Sequence, residues 1–285
     1  MKVLVTGGSG RIGRYVVREL VEAGHQVTSA DLVREWRPDC RALRVNLTDA
    51  GQVYQTLVAA KAEVVVHLGA WAGNVGPASA LYGDNVLGTF HVFQACADLG
   101  VRRVIFASSH HIYGVIESPP LYVPIDEAHP LRPADPYGLS KVTGEGLTDY
   151  FMSHWDVEIL SFRFMGVRAP SRLAPEIERV AQDPGKRRHL LWTRTDARDA
   201  AQACRLALEA VEVPSGPYNI TGRNVVLEDD SADLVRRYFG DQVEIRAGLT
   251  GRSSPLSCAK AEQAFGYCPQ FDWSVSQRFP EEPSS

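Results

Sequence analysis

The sequence lacks a long apolar run, an excess of positive charge and any leader segment. No apolar stretch among its 285 residues approaches the ~20 residues that span a bilayer. The formal net charge is −4, which gives no reason to expect binding to nucleic acid or to an anionic membrane. The opening "MKVLVTG" reads as a strand and leaves no room for a signal peptide, so we expect a cytoplasmic protein.

Cysteines at metal-binding or disulfide spacing are also missing. The five cysteines are odd in number and scattered, at Cys40, Cys96, Cys204, Cys258 and Cys268. We therefore interpret them as reduced thiols and predict no metal site. The chain is long enough for one large domain, or for a domain with a smaller lobe, around a sizeable core.

Apolar runs alternate with amphipathic stretches along most of the chain. Strands are predicted at 2–6, 25–31, 63–70, 101–109, 157–164 and 217–222, and helices at 11–23, 49–60, 84–99, 136–153 and 196–210. The strands are too apolar for either face of the sheet to be exposed to solvent. This order therefore predicts an α/β fold, a doubly wound parallel (Rossmann) sheet covered by helices on both sides.

The alternation weakens after residue 165. We predict an NAD-binding Rossmann domain in residues 1–165, to which residues 196–222 return. Residues 166–195 and 223–285 are predicted to form a small C-terminal α/β substrate lobe. The first of these two segments reads as loop-rich, and the second contains one clear helix, "DSADLVRRYF".

A glycine-rich segment lies between the first strand and the first helix. Gly7, Gly10 and Gly13 give the spacing T-G-x-x-G-x-x-G, and Gly8, Gly10 and Gly13 also satisfy G-x-G-x-x-G. Glycines here permit a tight turn and close approach to a pyrophosphate, and the helix N-terminus offers N–H groups to the anion. In this context the segment predicts a dinucleotide site, the alternative being a glycine-rich turn without a ligand.

Asp31, at the end of the second strand, favours NAD over NADP. A carboxylate at this position accepts hydrogen bonds from the adenosine ribose and repels a 2′-phosphate, an effect that Arg34 could partly offset. A solvated loop carboxylate is the alternative. Asn46 is a candidate acceptor for the adenine amino group, and Asp49 could equally be a helix N-cap.

The stretch "YGLSK" places Tyr137 and Lys141 on one face of a helix that begins near Asp135. A nearby ammonium and the helix N-terminus favour phenolate, so we expect them to lower the pKa of the tyrosine. Two serines end the strand "VIFASS" at the carboxyl edge of the sheet, where doubly wound folds bind ligands. A serine hydroxyl there can orient a substrate oxygen while the tyrosine moves the proton.

These motifs resemble those of the extended short-chain dehydrogenases/reductases, which include NAD-dependent sugar epimerases, dehydratases and dehydrogenases. The matching pieces are "TGGSGRIG", "HLGA", "NVLGT", "ASSHHIYG", "HPLRPADPYGLSK", "RTDARDAAQA" and "YNITG", in family order. The resemblance implies a catalytic set of Asn85, Ser109, Tyr137 and Lys141, although Asn85 could instead cap a helix. It implies NAD contacts at Gly7, Gly10, Arg11, Ile12, Gly13, Asp31, Asn46, Leu47, Leu68, Gly69, Ala70, Asn85, Tyr137 and Lys141.

Two departures from the family pattern favour a substrate smaller than a nucleotide sugar. Nucleotide-sugar members usually carry "R-x-x-N-x-Y-G-P", where this chain reads "RFMGVRAP", with Gly166 near the Asn position and Arg168 near the Tyr. The insertion that grips a nucleotide diphosphate in those members is also short, because residues 168–195 hold the whole of it.

"FASSHHIYG" resembles the "A-S-S-N-H" stretch of uronate dehydrogenases. Ser109 and His111 match that stretch, and His110 replaces its Asn, although one of the two histidines could be a packed, hydrogen-bonded residue. A uronate carboxylate would suit Arg168 or Arg172, unless both are solvated loop arginines. The candidate substrate contacts are Trp71, Ser109, His110, His111, Gly166, Arg168 and Arg172.

We therefore expect an NAD-dependent dehydrogenase of a small sugar or sugar acid. The alternatives are a nucleotide-sugar epimerase or dehydratase that keeps its NAD, and a non-catalytic dinucleotide sensor, against which the intact Ser-Tyr-Lys set argues. The resemblance also implies a homodimer formed by the 84–99 and 136–153 helices, in which Gly144 and Gly146 permit close approach. Nothing in the sequence names the sugar.

Overall fold

The computed structural model describes residues 1–35 and 38–276, so residues 277–285 of the predicted lobe lie outside the described residues. The strands in that part are β1 (Lys2–Thr6), β2 (Gln26–Asp31), β3 (Arg41–Arg44), β4 (Val64–His67), β5 (Arg103–Ser109), β6 (Tyr122–Val123), β7 (Glu158–Phe164), β8 (Gly216–Ile220) and β9 (Glu244–Ile245). The α-helices are α1 (Gly13–Glu22), α2 (Ala50–Ala60), α3 (Ala78–Asp98), α4 (Pro136–His154), α5 (Pro170–Gln182), α6 (Ala197–Glu209), α7 (Ser231–Phe239) and α8 (Ala259–Phe265). None of these helices combines the length and apolar character that crossing a membrane requires.

A seven-stranded parallel sheet organises the fold, in the order β3-β2-β1-β4-β5-β7-β8. The strand order reverses between β1 and β4, so the connections that leave these two strands run in opposite directions. Ligands of doubly wound folds bind in the crevice that this reversal opens at the carboxyl ends of the strands. The predicted doubly wound parallel sheet is confirmed.

Apolar cores cover both faces of the sheet. One core packs α1, α6 and α8 against it, through side chains such as Val16, Ala203 and Phe265. The other core packs α2, α3 and α4, through Leu57 and Phe93 among others. Because both faces are covered, the strands carry apolar residues in continuous runs, as the sequence indicated.

A third core joins the C-terminal part of the chain to the loops above the sheet. It buries residues of α5 and α7, together with Ile112, Val123 and Ile125 from the segment between β5 and α4. In the same region β6 pairs in parallel with β9 to form a small second sheet. The division at residue 165 stays a prediction, but this core draws side chains from both sides of it.

The prediction that residues 166–195 are loop-rich is wrong for thirteen of them, which form α5. Leu173, Ile177 and Val180 are buried at helical spacing on this helix. Pro170 occupies its first turn, where a missing N–H costs nothing, and Pro175 lies inside it. In the sequence, the two prolines and the intervening charges obscure this short apolar face. The helix is stabilised by packing of that face in the third core, which the sequence does not show.

Candidate active site

The glycine-rich loop connects β1 to α1 and leaves no room for a side chain at Gly7 or Gly13. Gly7 has a φ of +69°, and a Cβ added there would lie 2.7 Å from the backbone nitrogen of Gly69. A Cβ on Gly13 would overlap the carbonyl oxygen of Gly7. The loop backbone and the start of α1 are therefore directly accessible to a ligand in the crevice, which is the geometry that a pyrophosphate needs.

Asp31 ends β2 directly beside this loop. Its Oδ2 accepts a hydrogen bond from the Ser9 backbone N–H at 3.1 Å, and its Oδ1 accepts one from the Leu32 N–H at 2.7 Å. Each carboxylate oxygen keeps a second lone pair, and the side chain is only half-buried. The two oxygens can therefore accept hydrogen bonds from the two hydroxyls of an adenosine ribose.

Asn46 is occupied by its own turn. Its Oδ1 accepts hydrogen bonds from the backbone N–H of Thr48 at 3.1 Å and from the Thr48 hydroxyl at 2.9 Å. Both lone pairs of that oxygen are thereby used, so this arrangement does not offer the acceptor that we expected for an adenine amino group. The N-cap interpretation of Asp49 is confirmed, because its Oδ1 accepts from the Gln52 N–H at 3.1 Å.

Residues 68–71 form the loop that follows β4 and faces the crevice. The backbone N–H of Leu68 donates to the Thr6 carbonyl at 3.1 Å, and that of Gly69 donates to Thr6 Oγ1 at 3.3 Å. Leu47 packs against Gly69, because a Cβ on that glycine would lie 2.5 Å from Leu47 Cδ1. Of the predicted cofactor residues, Leu47, Leu68 and Gly69 thus lie together at the carboxyl end of the sheet, and Ala70 follows them in the same loop; their contacts with NAD stay a prediction.

Asn85 lies inside α3, because the helix begins at Ala78 and not near residue 84. The alternative that Asn85 caps a helix is therefore wrong. Its Oδ1 accepts from the Trp71 N–H at 2.8 Å, and its Nδ2 donates to the Trp71 carbonyl at 3.4 Å and to Ser140 Oγ at 3.1 Å. The buried amide ties the loop after β4 to α3 and α4.

Trp71 stands at the outer end of that loop. Its indole is 41% exposed, and its Nε1 donates to Asp84 Oδ2 at 2.9 Å. The side chain is anchored at one edge and leaves a large apolar surface open, as a sugar-binding aromatic does. Its role as a substrate contact stays a prediction.

Ser109 and Tyr137 come together where β5 ends and α4 begins. The hydroxyl of Ser109 interacts with the phenol of Tyr137. The neighbouring Ser108 points away, because its hydroxyl donates to Glu145 Oε1 at 2.6 Å. The alternation of side chains along the strand therefore selects Ser109 for the site.

The phenol of Tyr137 is harder to ionise than its setting in the sequence indicated. Burial raises its pKa to about 12, although the Ser109 hydroxyl and the charge of Arg11 act in the opposite direction. We expected Lys141 to lower this pKa, but its ammonium lies over the face of the tyrosine ring, 5.6 Å from the centroid. It is therefore poorly placed to stabilise a negative charge on the phenolic oxygen.

Lys141 is buried, with 4% of its surface exposed, and burial lowers its pKa to about 8. Among residues 1–35 and 38–276 its ammonium has neither a hydrogen bond nor an ion pair, and it lies over the rings of Phe106 and Tyr137. A buried ammonium without an acceptor is costly. The hydroxyls of a nicotinamide ribose would supply that acceptor, so the residues present fit the predicted NAD.

His67, which our sequence analysis missed, is buried behind Lys141. Its Nδ1 lies 2.7 Å from Thr6 Oγ1, and its Nε2 lies 3.2 Å from Thr89 Oγ1. Burial, together with the charge of Lys141, lowers the pKa of His67 to about 3, so the ring stays neutral. The feature of the sequence that could have identified His67 is its position at the end of a buried strand.

The two adjacent histidines have different surroundings. His110 is buried, its Nδ1 lies 3.1 Å from the Phe164 carbonyl oxygen, and burial holds its pKa well below the usual value. This arrangement fits the packed, hydrogen-bonded alternative that we considered for one of the pair. His111 is partly exposed, and its ring centroid lies 5.2 Å from that of Tyr137.

Arg168 is already neutralised by a carboxylate of the chain. Its Nε lies 2.5 Å from Glu176 Oε2, and the buried Arg194 shares the same carboxylate, with Nε 2.9 Å from Oε1. Gly166 lies beside this cluster, because a Cβ on it would lie 3.2 Å from Arg194 Cδ. Glu176 and Arg194 were not predicted from the sequence, since only the fold brings α5 against the segment before α6.

Arg172 lines a groove and not the surroundings of Tyr137. The groove has a volume of about 1230 Å³, runs between α1, α5 and α6, and begins at Arg11 and Ile12 of the glycine loop. Arg11, Arg172 and Arg179 line it without an ion-pair partner among the described residues. The groove therefore joins the end of the cofactor crevice and carries excess positive charge.

Comparisons with known proteins agree with this geometry. The model of the NAD-dependent epimerase/dehydratase family matches residues 3–221. A UDP-glucose 4-epimerase of Lactobacillus helveticus is 31% identical over 179 residues, which cover 60% of this chain and 53% of that protein. A uronate dehydrogenase of Pseudomonas syringae pv. tomato is 31% identical over 166 residues, covering 57% of this chain and 58% of that protein. The matches thus span little more than half the length of these curated relatives.

Solved structures share the whole fold. A short-chain dehydrogenase/reductase superfamily protein from Agrobacterium tumefaciens, solved with bound NAD, superposes with a TM-score of 0.70 at 25% identity. The superposition covers 95% of this chain and 93% of that one. The similarity therefore extends through the C-terminal part that the sequence matches leave out.

Proposed function

The chain belongs to the NAD-dependent epimerase/dehydratase family, and from this premise we propose that it oxidises a small sugar or sugar acid by hydride transfer to NAD. The observation that carries the proposal is that Ser109, Tyr137 and the ammonium of Lys141, which has no hydrogen-bond or ion-pair partner in the described part of the chain, meet at the carboxyl edge of the sheet. These groups lie beside the glycine loop, so a cofactor and a reacting hydroxyl would share one crevice.

Each of these side chains has a separate task in the proposed reaction. Tyr137 accepts the proton of the substrate hydroxyl, and Ser109 hydrogen-bonds the same oxygen and fixes its direction. Lys141 holds the ribose of the cofactor, and Asn85 holds the loop that borders it. When bound, oxidised NAD supplies the hydride acceptor, and its positive nicotinamide ring favours the phenolate of Tyr137.

A small substrate is supported by the surroundings of Gly166. Arg168 and Arg194 converge on Glu176 at this point, so the charge of Arg168 is already matched within the chain and is not available to a nucleotide diphosphate. The uronate dehydrogenase of P. syringae is a similar protein named for oxidation of a free sugar acid. A uronate carboxylate would need a cation other than Arg168, and Arg172 and Arg11, which have no ion-pair partner among the described residues, are the candidates in the groove.

The second candidate is epimerisation or dehydration of a nucleotide sugar with tightly held NAD. One observation favours it: the groove of about 1230 Å³ is larger than a monosaccharide requires, and its unpaired arginines suit a diphosphate. The L. helveticus relative is named a UDP-glucose 4-epimerase.

The two functions differ in whether free NAD is consumed. The purified protein is incubated with NAD and, in turn, galacturonate, glucuronate, aldoses, UDP-hexoses and dTDP-hexoses, while NADH absorbance and sugar products are followed. Steady NADH formation with a free sugar supports the proposal. Conversion of nucleotide sugars alone, without net NADH, would replace it with the second candidate.

Tyr137→Phe tests whether the site is catalytic at all. The variant should lose about 10²- to 10⁴-fold in kcat, because it lacks the acid/base, and should bind NAD as the native protein does. Retained turnover would exclude the tyrosine mechanism. A protein that binds NAD in both forms but turns over none of the sugars would support a dinucleotide sensor.

A further inference from the structure

We propose that Asp135 fixes the tautomer of His111, so that Nε2 of this imidazole accepts a hydrogen bond from a second hydroxyl of the substrate bound at Tyr137. Asp135 is then a positioning residue, and His111 makes the contact. The inference rests on the proposed function, because it requires a hydroxylated substrate beside Tyr137. It also specifies that substrate more narrowly, as a molecule with a second hydroxyl next to the one that reacts at Tyr137.

The contact between the two residues is direct. Asp135 Oδ2 lies 2.9 Å from His111 Nδ1, and Oδ1 of the same carboxylate accepts from the Gly138 backbone N–H at 2.6 Å. One carboxylate therefore caps α4, which carries Tyr137, and holds the imidazole. Both functional side chains are oriented from a single point.

The carboxylate determines which imidazole nitrogen carries the proton. Burial alone would raise the pKa of Asp135, but the hydrogen bonds from His111 and the Gly138 backbone hold it below the usual value. An ionised carboxylate can only accept hydrogen bonds. Nδ1 must therefore carry a proton, and in the neutral form of the ring Nε2 keeps its lone pair.

That lone pair has no partner within the part of the chain that the structure describes, where the imidazole of His111 forms a hydrogen bond through Nδ1 alone. The backbone N–H of His111 donates to Ser109 Oγ at 3.2 Å, and its carbonyl accepts from the Gly114 N–H at 3.2 Å. The imidazole side chain remains 26% exposed. A partly exposed imidazole whose Nδ1 is fixed thus lies next to Tyr137, with ring centroids 5.2 Å apart.

The local packing leaves the imidazole little freedom to turn away. A Cβ on Gly138 would lie 2.9 Å from the His111 carbonyl oxygen, so α4 begins directly against this segment. The rings of His110 and Tyr137 lie edge-on to the imidazole, with centroids 4.7 and 5.2 Å away. These two ring contacts and the hydrogen bond to Asp135 hold the imidazole so that Nε2 points in one direction. Recognition of a single sugar hydroxyl requires such a fixed direction.

The tautomer can be read directly by nitrogen NMR of the imidazole rings. The signal of His111 is assigned by its loss in His111→Gln, since the chain has eight histidines. We expect a protonated Nδ1 and an unprotonated Nε2 in the native protein. In Asp135→Asn the amide oxygen can keep the bond from Gly138 while the amide N–H₂ faces Nδ1, so the proton should move to Nε2. A native protein with the proton on Nε2 would overturn the inference, whatever the enzyme does.

Kinetics test the contact with substrate. Asn is as good an N-cap as Asp, so Asp135→Asn should keep α4 and the affinity for NAD. We expect KM to rise about tenfold with a smaller change in kcat, because one substrate hydrogen bond is replaced by a donor–donor clash. Asp49→Asn is the matched control, since Asp49 caps α2 in the same way and holds no catalytic histidine. It should leave both constants unchanged.

Deoxy sugars separate this role from a structural one. The native enzyme should prefer the parent sugar over at least one monodeoxy analogue by tenfold or more in kcat/KM, and Asp135→Asn should reduce that preference to less than about threefold. An unchanged preference in a variant whose tautomer has switched would overturn the substrate contact. If no free sugar turns over at all, the proposed function fails on its own assay, and the preference is then measured by calorimetric binding of the same sugars to the NAD-loaded protein.

Discussion

The ammonium of Lys141 lies 5.6 Å from the ring centroid of Tyr137 and 5.1 Å from that of Phe106. A cation held between aromatic faces is stabilised by their quadrupoles, but this attraction does not replace the water that burial removes. Burial lowers the pKa of Lys141 to about 8, which is the direction expected of an ammonium that loses its hydration. The residue is therefore a source of instability in the protein that a bound ribose would relieve.

The first prediction concerns stability and pH. Burial lowers the pKa of Lys141 from 10.5 to about 8, so between these values the unfolded chain binds a proton that the folded protein does not. The free energy of unfolding should therefore rise with pH in this window, by up to about 3 kcal/mol. Lys141→Met should lack the rise and be the more stable protein at neutral pH. Denaturant unfolding from pH 7.5 to 10 (about the range of this window) measures the difference.

An exposed lysine provides the control for this experiment. Lys186 is exposed, so Lys186→Met should follow the native protein at every pH. A constant stability difference between the native protein and Lys141→Met across the window would mean that the ammonium is solvated, contrary to the structure.

Asn85→Ala should weaken NAD binding. The change removes the bonds that join Asn85 to Trp71 and Ser140, so the loop bordering the crevice loses its attachment to α3 and α4. We expect the Kd for NAD to rise about tenfold and the free energy of unfolding to fall by about 1–3 kcal/mol. Calorimetric titration with NAD and denaturant unfolding measure the two effects. Asn224→Ala, which removes a hydrogen bond to Asp272 in the C-terminal part, should leave the affinity unchanged.

Asp31→Asn should relax the discrimination against NADP. The amide keeps a hydrogen-bonding side chain beside Ser9 and Leu32 but removes the charge that repels a 2′-phosphate. The ratio of the NADP and NAD dissociation constants should shift toward NADP by roughly 10- to 100-fold. Fluorescence titration with the two reduced cofactors measures it, and Asp49→Asn serves as a charge-matched control. An unchanged ratio would assign Asp31 to loop structure alone.

We predict a homodimer formed by α3 and α4. These helices expose Leu87 and Phe90 on α3, and Leu139 and Tyr150 on α4, each at least 36% accessible. Phe90→Asp should raise the dimer dissociation constant about 100-fold or more, as measured by analytical ultracentrifugation. Leu32→Asp, an exposed position outside both helices, should have no effect. A native protein that sediments as a monomer at micromolar concentration would contradict the prediction.

The two glycines that we assigned to this interface have different surroundings. A Cβ on Gly144 would lie 2.5 Å from Phe106 Cζ, so this glycine lets α4 approach the sheet. Gly146 has no neighbouring atom within 4 Å of such a Cβ and faces open space. Of the pair, only Gly146 remains available for close packing with a second chain.

The parts of the fold that depend on local chemistry could be predicted from the sequence. The glycine loop, the N-caps at Asp49 and Asp135, and the pairing of Tyr137 with Lys141 on one helix face all follow from spacings of a few residues. Residues at such spacings interact within one or two turns of the backbone, so these features do not depend on how the rest of the chain packs.

The parts that depend on distant residues could not be predicted. Asn85 was open to a capping role because nothing local marks the helix start at Ala78, seven residues earlier. The ion cluster at Glu176 needs Arg194, eighteen residues away in the segment before α6. The direction of the Tyr137 pKa depends on how deeply the phenol is buried, which is a property of the assembled crevice.

The small sheet that pairs β6 with β9 has a consequence for how specificity can change. One of its strands precedes the helix that carries Tyr137, and the other lies some 120 residues later, in the C-terminal part. The two segments therefore cannot be exchanged independently, because a C-terminal part taken from a relative would lack the β6 strand with which its own β9 pairs. Engineering a new substrate preference should transplant the segment between β5 and α4 along with it, as one discontinuous cassette.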